Sequence, residues 1–226
     1  MMSRPKLDTP EKLQKYVDDF FRANPTHKYT HVNDVGITQL ALEGVKFPDF
    51  MTYINLCNNS ITSLTNVTFN PSTTKLQMAD NQLTSLDGVI FPLKLNDLDL
   101  SRNEIQSLDG VEFPPGLVTL RLTGNRITSF AGMQFPLSLL DLKLEGNPID
   151  VQTVSELKNP SPFVIREIVA AFPETAQHFK RMEEEKEEKV EQLFKMLYAF
   201  HNQKGGSKKR TRYCKISRKI KKKIIK

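Results

Sequence analysis

The sequence predicts an α/β solenoid, a right-handed superhelix with a parallel concave sheet and helical N- and C-caps. Three columns of residues carry that prediction. Asn59, Asn81, Asn103, Asn125 and Asn147 recur at one constant step, and Phe47, Phe69, Phe91, Phe113 and Phe135 keep the same step. Leu42, Leu64, Leu86 and Leu108 keep it too, with Phe130 in fifth place. A fixed period in the range of about 20–29 residues, with apolar residues ahead of each asparagine, marks coils that bury their apolar faces only by stacking.

One unit runs strand, asparagine bend, return segment and proline turn. Strand positions Ile54/Leu56, Leu76/Met78, Leu98/Leu100, Leu120/Leu122 and Leu142/Leu144 alternate with polar residues, so one face is buried and the other offered to solvent. Past each strand, a buried asparagine side chain is suited to bonding unpaired backbone groups of its own and the adjacent coil. A further column holds Gly44, Asn66, Gly88, Gly110 and Gly132. Asparagine is the residue after glycine that best tolerates positive φ, so a left-handed turn is expected there. The Phe-Pro pairs that follow plug the convex side with an aromatic and fix φ for the return. In the second unit the pair is split as Phe69-Asn70-Pro71.

These residues resemble the cytosolic leucine-rich repeats of the 22-residue kind. Similar repeats occur in the leucine-rich regulatory subunit of type-one protein phosphatase and the spliceosomal leucine-rich A-prime protein. The resemblance covers roughly residues 32 to 150. It implies a protein-binding solenoid with no cofactor, and leaves open a regulatory or targeting subunit of the phosphatase-regulator or spliceosomal type. The Gly-Val-x-Phe-Pro return segment departs from the more helical one of those relatives, so their particular partners do not carry over.

From the N-terminus, residues 1–31 read as a helical cap. A helix is predicted over Pro10–Asn24, capped by Asp8 or Thr9, with Leu13, Tyr16, Val17, Phe20 and Phe21 on one face. Residues 32–150 are the repeats, about five units. The first, over 32–50, is degenerate, with Ile37 where the asparagine belongs. No apolar run reaches the ~18 residues of a membrane span, and the first residues carry no signal-peptide core. A soluble intracellular protein is expected, cytoplasmic or also nuclear. Cys57 and Cys214 have no paired spacing, which favours reduced thiols.

The inner strand positions decide what the surface binds. They are Tyr53, Asn55, Cys57 and Asn58, then Lys75, Gln77, Ala79 and Asp80, then Asp97, Asp99, Ser101 and Arg102. Thr119, Arg121 and Thr123, then Asp141, Lys143 and Glu145, complete the face. It is polar and of mixed sign, whereas a nucleic-acid groove calls for cations interleaved with stacking aromatics. A protein partner fits better, with Tyr53, Arg102 and Arg121 as anchors by residue type. Five strands ~4.8 Å apart give a strip of only ~250–300 Å². A standard interface takes ~800 Å² per partner, so binding is transient or the flanking elements join in.

After Asn147 the array ends at Pro148, and residues 151–173 read as a helical C-terminal cap. One helix carries Val151, Val154 and Leu157, and a second over 162–172 seals the last coil with Ile165, Ile168, Val169 and Phe172. A long helix is predicted over 174–203. Its charged middle stands in water, supported by Glu-to-Lys pairs such as Glu185 with Lys189. Val190, Leu193, Phe194, Leu197 and Phe200 form an apolar stripe, open either to a coiled-coil partner or to folding back. The basic tail over 204–226 holds 12 of the 32 basic residues and no carboxylate, whereas the chain before it carries 20 basic and 26 acidic side chains. Lys208, Lys209, Arg210 and Arg212, with Arg218, Lys219, Lys221, Lys222 and Lys223, are open to three readings. These are a nuclear import signal, a contact for acidic lipid or nucleic acid, and a disordered tail.

Catalytic chemistry has little to rest on. His27, His31, His178 and His201 keep no metal-ligand spacing, and no phosphate loop, nucleophile elbow or kinase signature occurs. The expectation is a non-catalytic protein-interaction module.

Overall fold

The computed structural model describes residues 6–32, 35–38, 42–157 and 160–203. The chain divides into two compact units after Thr175. In the first unit, α1 (Pro10–Ala23) precedes six three-residue strands. These are β1 (Tyr29–His31), β2 (Tyr53–Asn55), β3 (Lys75–Gln77), β4 (Asp97–Asp99), β5 (Thr119–Arg121) and β6 (Asp141–Lys143). They form one parallel sheet in chain order.

From β2 to β6 the register advances by the same step as the asparagines, so Ile54, Leu76, Leu98, Leu120 and Leu142 stack in one buried row. The first step is longer by two, because Tyr29 pairs with Tyr53 whereas Tyr53 pairs with Lys75. Two corrections to the sequence reading follow. The sheet has six strands, since β1 belongs to it although its residues read as part of the cap. In addition, Val35 rather than Ile37 occupies the asparagine position. Ile37 accepts from Ser60 N–H as Ile61 accepts from Gln82 N–H, and its own N–H donates to Asn59 Oδ1 as that of Ile61 does to Asn81. Ile37 is thus two places past the bend, and the added length of this coil falls between Ile37 and Leu42.

The asparagine ladder explains why the period is fixed. Asn103 Nδ2 donates to Met78 O (2.9 Å) and Leu100 O (3.0 Å), and its Oδ1 accepts from Leu83 N (3.0 Å). Asn81, Asn125 and Asn147 repeat the pattern one coil away each time. Each amide satisfies backbone groups that a bend inside an apolar core would orphan. Asn66 has φ of 64°, matching the positive φ of Gly44, Gly88, Gly110 and Gly132, as expected.

On the convex side Phe47, Phe69, Phe91 and Phe135 are buried. Phe91, Phe113 and Phe135 stack with centroids 6.1 and 6.4 Å apart. Phe113 itself is only half-buried, so the plug is less uniform than the column suggests. Asn70, which stands where other coils have proline, is buried and donates to Pro48 O (3.0 Å) while accepting from Ser72 N (3.0 Å).

Both ends of the stack are covered. α1 begins at Thr9, whose hydroxyl accepts from Lys12 N, and buries Leu13, Val17 and Phe21. Gln14 clamps it to the first coil, donating to Lys46 O (3.1 Å) and accepting from Lys46 N (2.7 Å). At the other end, Asp150 caps a 3-10 helix over Val151–Glu156. Ser161 caps α2 (Pro162–Ala171), which lies against β6. Val164 and Ile168 are its buried residues, so Val164 does the sealing assigned to Ile165 and Val169, which stay half-exposed. The Phe172 ring meets Phe130 edge-on at 6.0 Å.

The second unit contains α3 (Ala176–Gln203). Residues 183–189 are all exposed. Lys180 pairs with Glu184 at 3.9 Å, whereas no ion pair joins Glu185 to Lys189 among the described residues. Of the apolar stripe, Leu193 is exposed and Val190 half-buried, and the side chains of Phe194, Leu197 and Phe200 lie outside what is described. The basic tail, from Lys208 to Lys223 and including its flanks, also lies outside the described residues.

Candidate functional site

In each of β2 to β6 the middle residue is buried and its two neighbours are half-exposed on the concave side. Period two thus sets Tyr53, Lys75, Asp97, Thr119 and Asp141 in one row, and Asn55, Gln77, Asp99, Arg121 and Lys143 in the next. By register, Tyr29 to His31 of β1 extend the sheet by one strand beside β2. Sequence reasoning missed them because the strand step changes there and no asparagine announces the coil.

The structure interlocks these side chains. Tyr53 Oη lies 2.9 Å from Gln77 Oε1, to which it donates, and Lys75 Nζ sits 5.5 Å from the Tyr53 ring centroid. The same ammonium is 2.9 Å from Asp97 Oδ2. Arg121 then spans two strands, with one nitrogen 3.3 Å from Asp97 and another 3.0 Å from Asp141. Lys143 is 3.9 Å from Asp141 and 3.9 Å from Glu167 on α2, which carries the network onto the C-terminal cap. Burial pushes the Tyr53 phenol above its ordinary pKa.

Asp99 faces Arg121 in register, yet it plays a different part: its carboxylate accepts from Ser101 N (2.9 Å) and shapes the strand exit. Asn55 does likewise with Cys57 N (3.0 Å). These two are turn-forming more than surface-presenting. The next positions also depart from expectation, since Ala79 and Ser101 are buried. Beyond them Asn58, Asp80, Arg102, Gly124 and Gly146 all have positive φ, a second left-handed column. Arg102 therefore stands at the rim of the sheet, ion-paired with Asp80. That bond holds the Asp80 carboxyl below its usual range and raises the guanidinium correspondingly. Burial raises the Cys57 thiol.

Among the described residues the carboxylates of the face are engaged: Asp80, Asp97 and Asp141 with cations, Asp99 with a backbone N–H, and Glu145 with the Thr123 hydroxyl. Among the described residues no group of three His, Cys, Asp or Glu side chains is placed to hold a metal. Among them, too, no helix is long and apolar enough to cross a membrane.

Stacked coils, an asparagine ladder and a parallel concave sheet define a leucine-rich repeat solenoid. Residues 71–127, within that solenoid, match the leucine rich repeat family model. Two solved structures are similar. YopM from Yersinia enterocolitica WA-314 is 23% identical over 53% of this chain and 28% of its own, with a TM-score of 0.37. The leucine-rich repeat domain of a Shigella effector is 18% identical over 68% of this chain and 83% of its own, with a TM-score of 0.39. The chain thus spans little more than a quarter of the YopM chain. No curated protein matches it. Leucine-rich repeat solenoids are typically non-catalytic scaffolds, and the fold commonly mediates protein–protein interaction.

Proposed function

We propose that this chain is a non-catalytic protein-interaction module whose concave face docks a protein partner. The supporting observation is the continuous network Tyr53–Lys75–Asp97–Arg121–Asp141–Lys143 across the two rows, in which each charged side chain is held by its neighbours. Side chains already fixed lose less rotamer entropy on binding, a saving of about 0.5–1.5 kcal/mol for each long side chain. The balance of charge along the network favours a partner with both signs over a polyanion, and the rim Arg102 and the ring of Tyr53 supply anchors.

The test is affinity capture from cell extract with the intact chain beside a Tyr53→Ala, Arg102→Ala and Arg121→Ala triple variant of unchanged fold. A protein held by the first and lost by the second supports the reading. Equal capture by both refutes it. A second reading, in which the chain is an RNA-associated factor, draws on the run of lysines and arginines beyond Gln203. It requires RNA binding that falls steeply with salt and vanishes on deleting residues 204–226. A nuclear location through the same run belongs instead with the alternative of a regulatory or targeting subunit.

A further inference from the structure

At one edge of the solenoid, each coil makes a tight turn between its convex-side phenylalanine and the next strand. Leu95 N–H donates to Pro92 O, Leu117 N–H to Pro114 O, and Leu139 N–H to Pro136 O. The turn tips are Leu93-Lys94, Pro115-Gly116 and Leu137-Ser138, and Asn96, Val118 and Leu140 follow beside them. Successive coils are in direct contact here, because Leu140 N–H donates to Val118 O (2.8 Å) and Ser138 Oγ to Pro115 O (2.8 Å). The tips therefore stack at about the 4.8 Å strand spacing.

This edge is apolar and open to solvent. Leu93 is 79% exposed, Leu137 83%, Leu140 68% and Val118 36%. A solvated turn tip has no structural need of leucine, because the first two units carry Asp49 and Pro71 in this column. Together the four side chains expose roughly 500 Å² of apolar surface, the size at which the largest patch of a monomer is often functional. With a polar rim it approaches the ~800 Å² per partner of a stable interface.

We propose that this edge is an interface between two copies of the chain, related by a two-fold axis through the turn at Pro115–Gly116. The pattern repeats itself about that middle coil, with a leucine tip on one side, a flat Pro-Gly tip at the centre and a leucine tip on the other. A two-fold axis there sets Leu93 against Leu137 of the second copy, and Leu137 against its Leu93. Lys94 is the one charge among the three tips, and the same operation places it opposite Ser138 rather than another lysine, Val118 opposite Val118, and Leu140 opposite the uncharged Asn96. A nearly uncharged, self-complementary surface is what an isologous interface needs, and homodimer interfaces are the more apolar class. The edge lies at the entry side of the strands, so pairing through it leaves both concave faces open.

The test uses the full chain in sedimentation equilibrium from low micromolar concentration upward. A dimer is expected, and the Leu93→Asp, Leu137→Asp double variant is expected to be monomeric throughout with an unchanged circular dichroism spectrum and melting curve. Gly116 tolerates a side chain, since an added Cβ meets nothing within 4 Å. The Gly116→Cys variant is therefore expected to form a disulfide-linked dimer on oxidation, beyond any linkage seen in the unmodified chain. A monomeric intact chain overturns the proposal. So does a dimer that survives the double substitution, whether or not Leu193→Asp with Met196→Asp abolishes it.

Discussion

Replacing Asn103 with alanine tests the ladder at its centre. The side chain is 6% exposed. It supplies the acceptor for Leu83 N and donors for Met78 O and Leu100 O, all at 2.9–3.0 Å. Truncation orphans one backbone N–H, at about 1–3 kcal/mol. The two carbonyls are better tolerated, because each has a second lone pair, and they add a smaller share. The expected loss is about 2–4 kcal/mol, read from the urea midpoint with the slope checked, since a solenoid that unfolds in parts changes its slope. Asn103→Asp sharpens the test. It keeps shape and acceptor but turns a carboxylate on two carbonyls, so at neutral pH it is expected to cost at least as much as alanine. Burial and the carbonyls raise the pKa of that group in the folded state. Its penalty is therefore full where the folded carboxyl ionises, and it shrinks as pH falls below that pKa. A loss below about 0.5 kcal/mol for Asn103→Ala would refute the ladder as the reason for the period.

Three further outcomes are expected. Gly88→Ala and Gly132→Ala both force an alanine to φ near 69°, costing about 1–2 kcal/mol. Only the second brings its Cβ onto the Asp109 side chain, so an excess cost is expected at Gly132; it is expected to shrink in an Asp109→Ala background, which removes the carboxylate but keeps the Cβ at 2.9 Å, and to disappear only with Asp109→Gly. Phe91→Ala is expected to cost about 3–5 kcal/mol as a buried large-to-small change, and Phe113→Ala clearly less, because its ring is half-exposed although stacked between two others. Thermal or urea midpoints of the two variants decide between this and a uniform plug. Cys57, whose thiol is raised by burial, is expected to react with iodoacetamide more slowly than a free thiol at pH 8 and to gain rate only at higher pH, as peptide mapping would show.

The middle of the stack is legible in the sequence because each coil solves one problem with one residue type. A buried bend needs an amide that both donates and accepts, hence five asparagines in phase. The convex turn needs positive φ, and Asn66 among glycines marks it. The first coil is not legible, because Val35 asks for no bond where the other coils have asparagine, and the longer step breaks the phase. The concave face is legible as a set of polar positions but not as a network. Register alone sets Asp99 opposite Arg121, whereas the guanidinium reaches diagonally to Asp97 and Asp141. The leucine tips at 93 and 137 do not stand out, since they share a column with two prolines and an aspartate.

The strand-exit column is hidden for a different reason. Asn58, Asp80, Arg102, Gly124 and Gly146 share a backbone conformation and no side chain. Glycine meets it freely, and asparagine and aspartate tolerate it. Arginine does not, so the turn by itself gives no reason for a cation at 102. Its side chain is 64% exposed, and the pair with Asp80 is a surface pair worth at most about 1 kcal/mol. Arg102→Asn separates the two roles, because asparagine keeps the turn while the cation is lost. Relief of strain and loss of the pair nearly cancel, so stability at neutral pH is expected to stay within about 0.5 kcal/mol. The Asp80 carboxyl, now depressed by Arg102, contributes stability above its unfolded pKa that is lost as pH falls through the folded one. That acid-side loss is expected to shrink in the variant. Weaker partner capture at unchanged stability places Arg102 in the binding surface, and unchanged capture removes it.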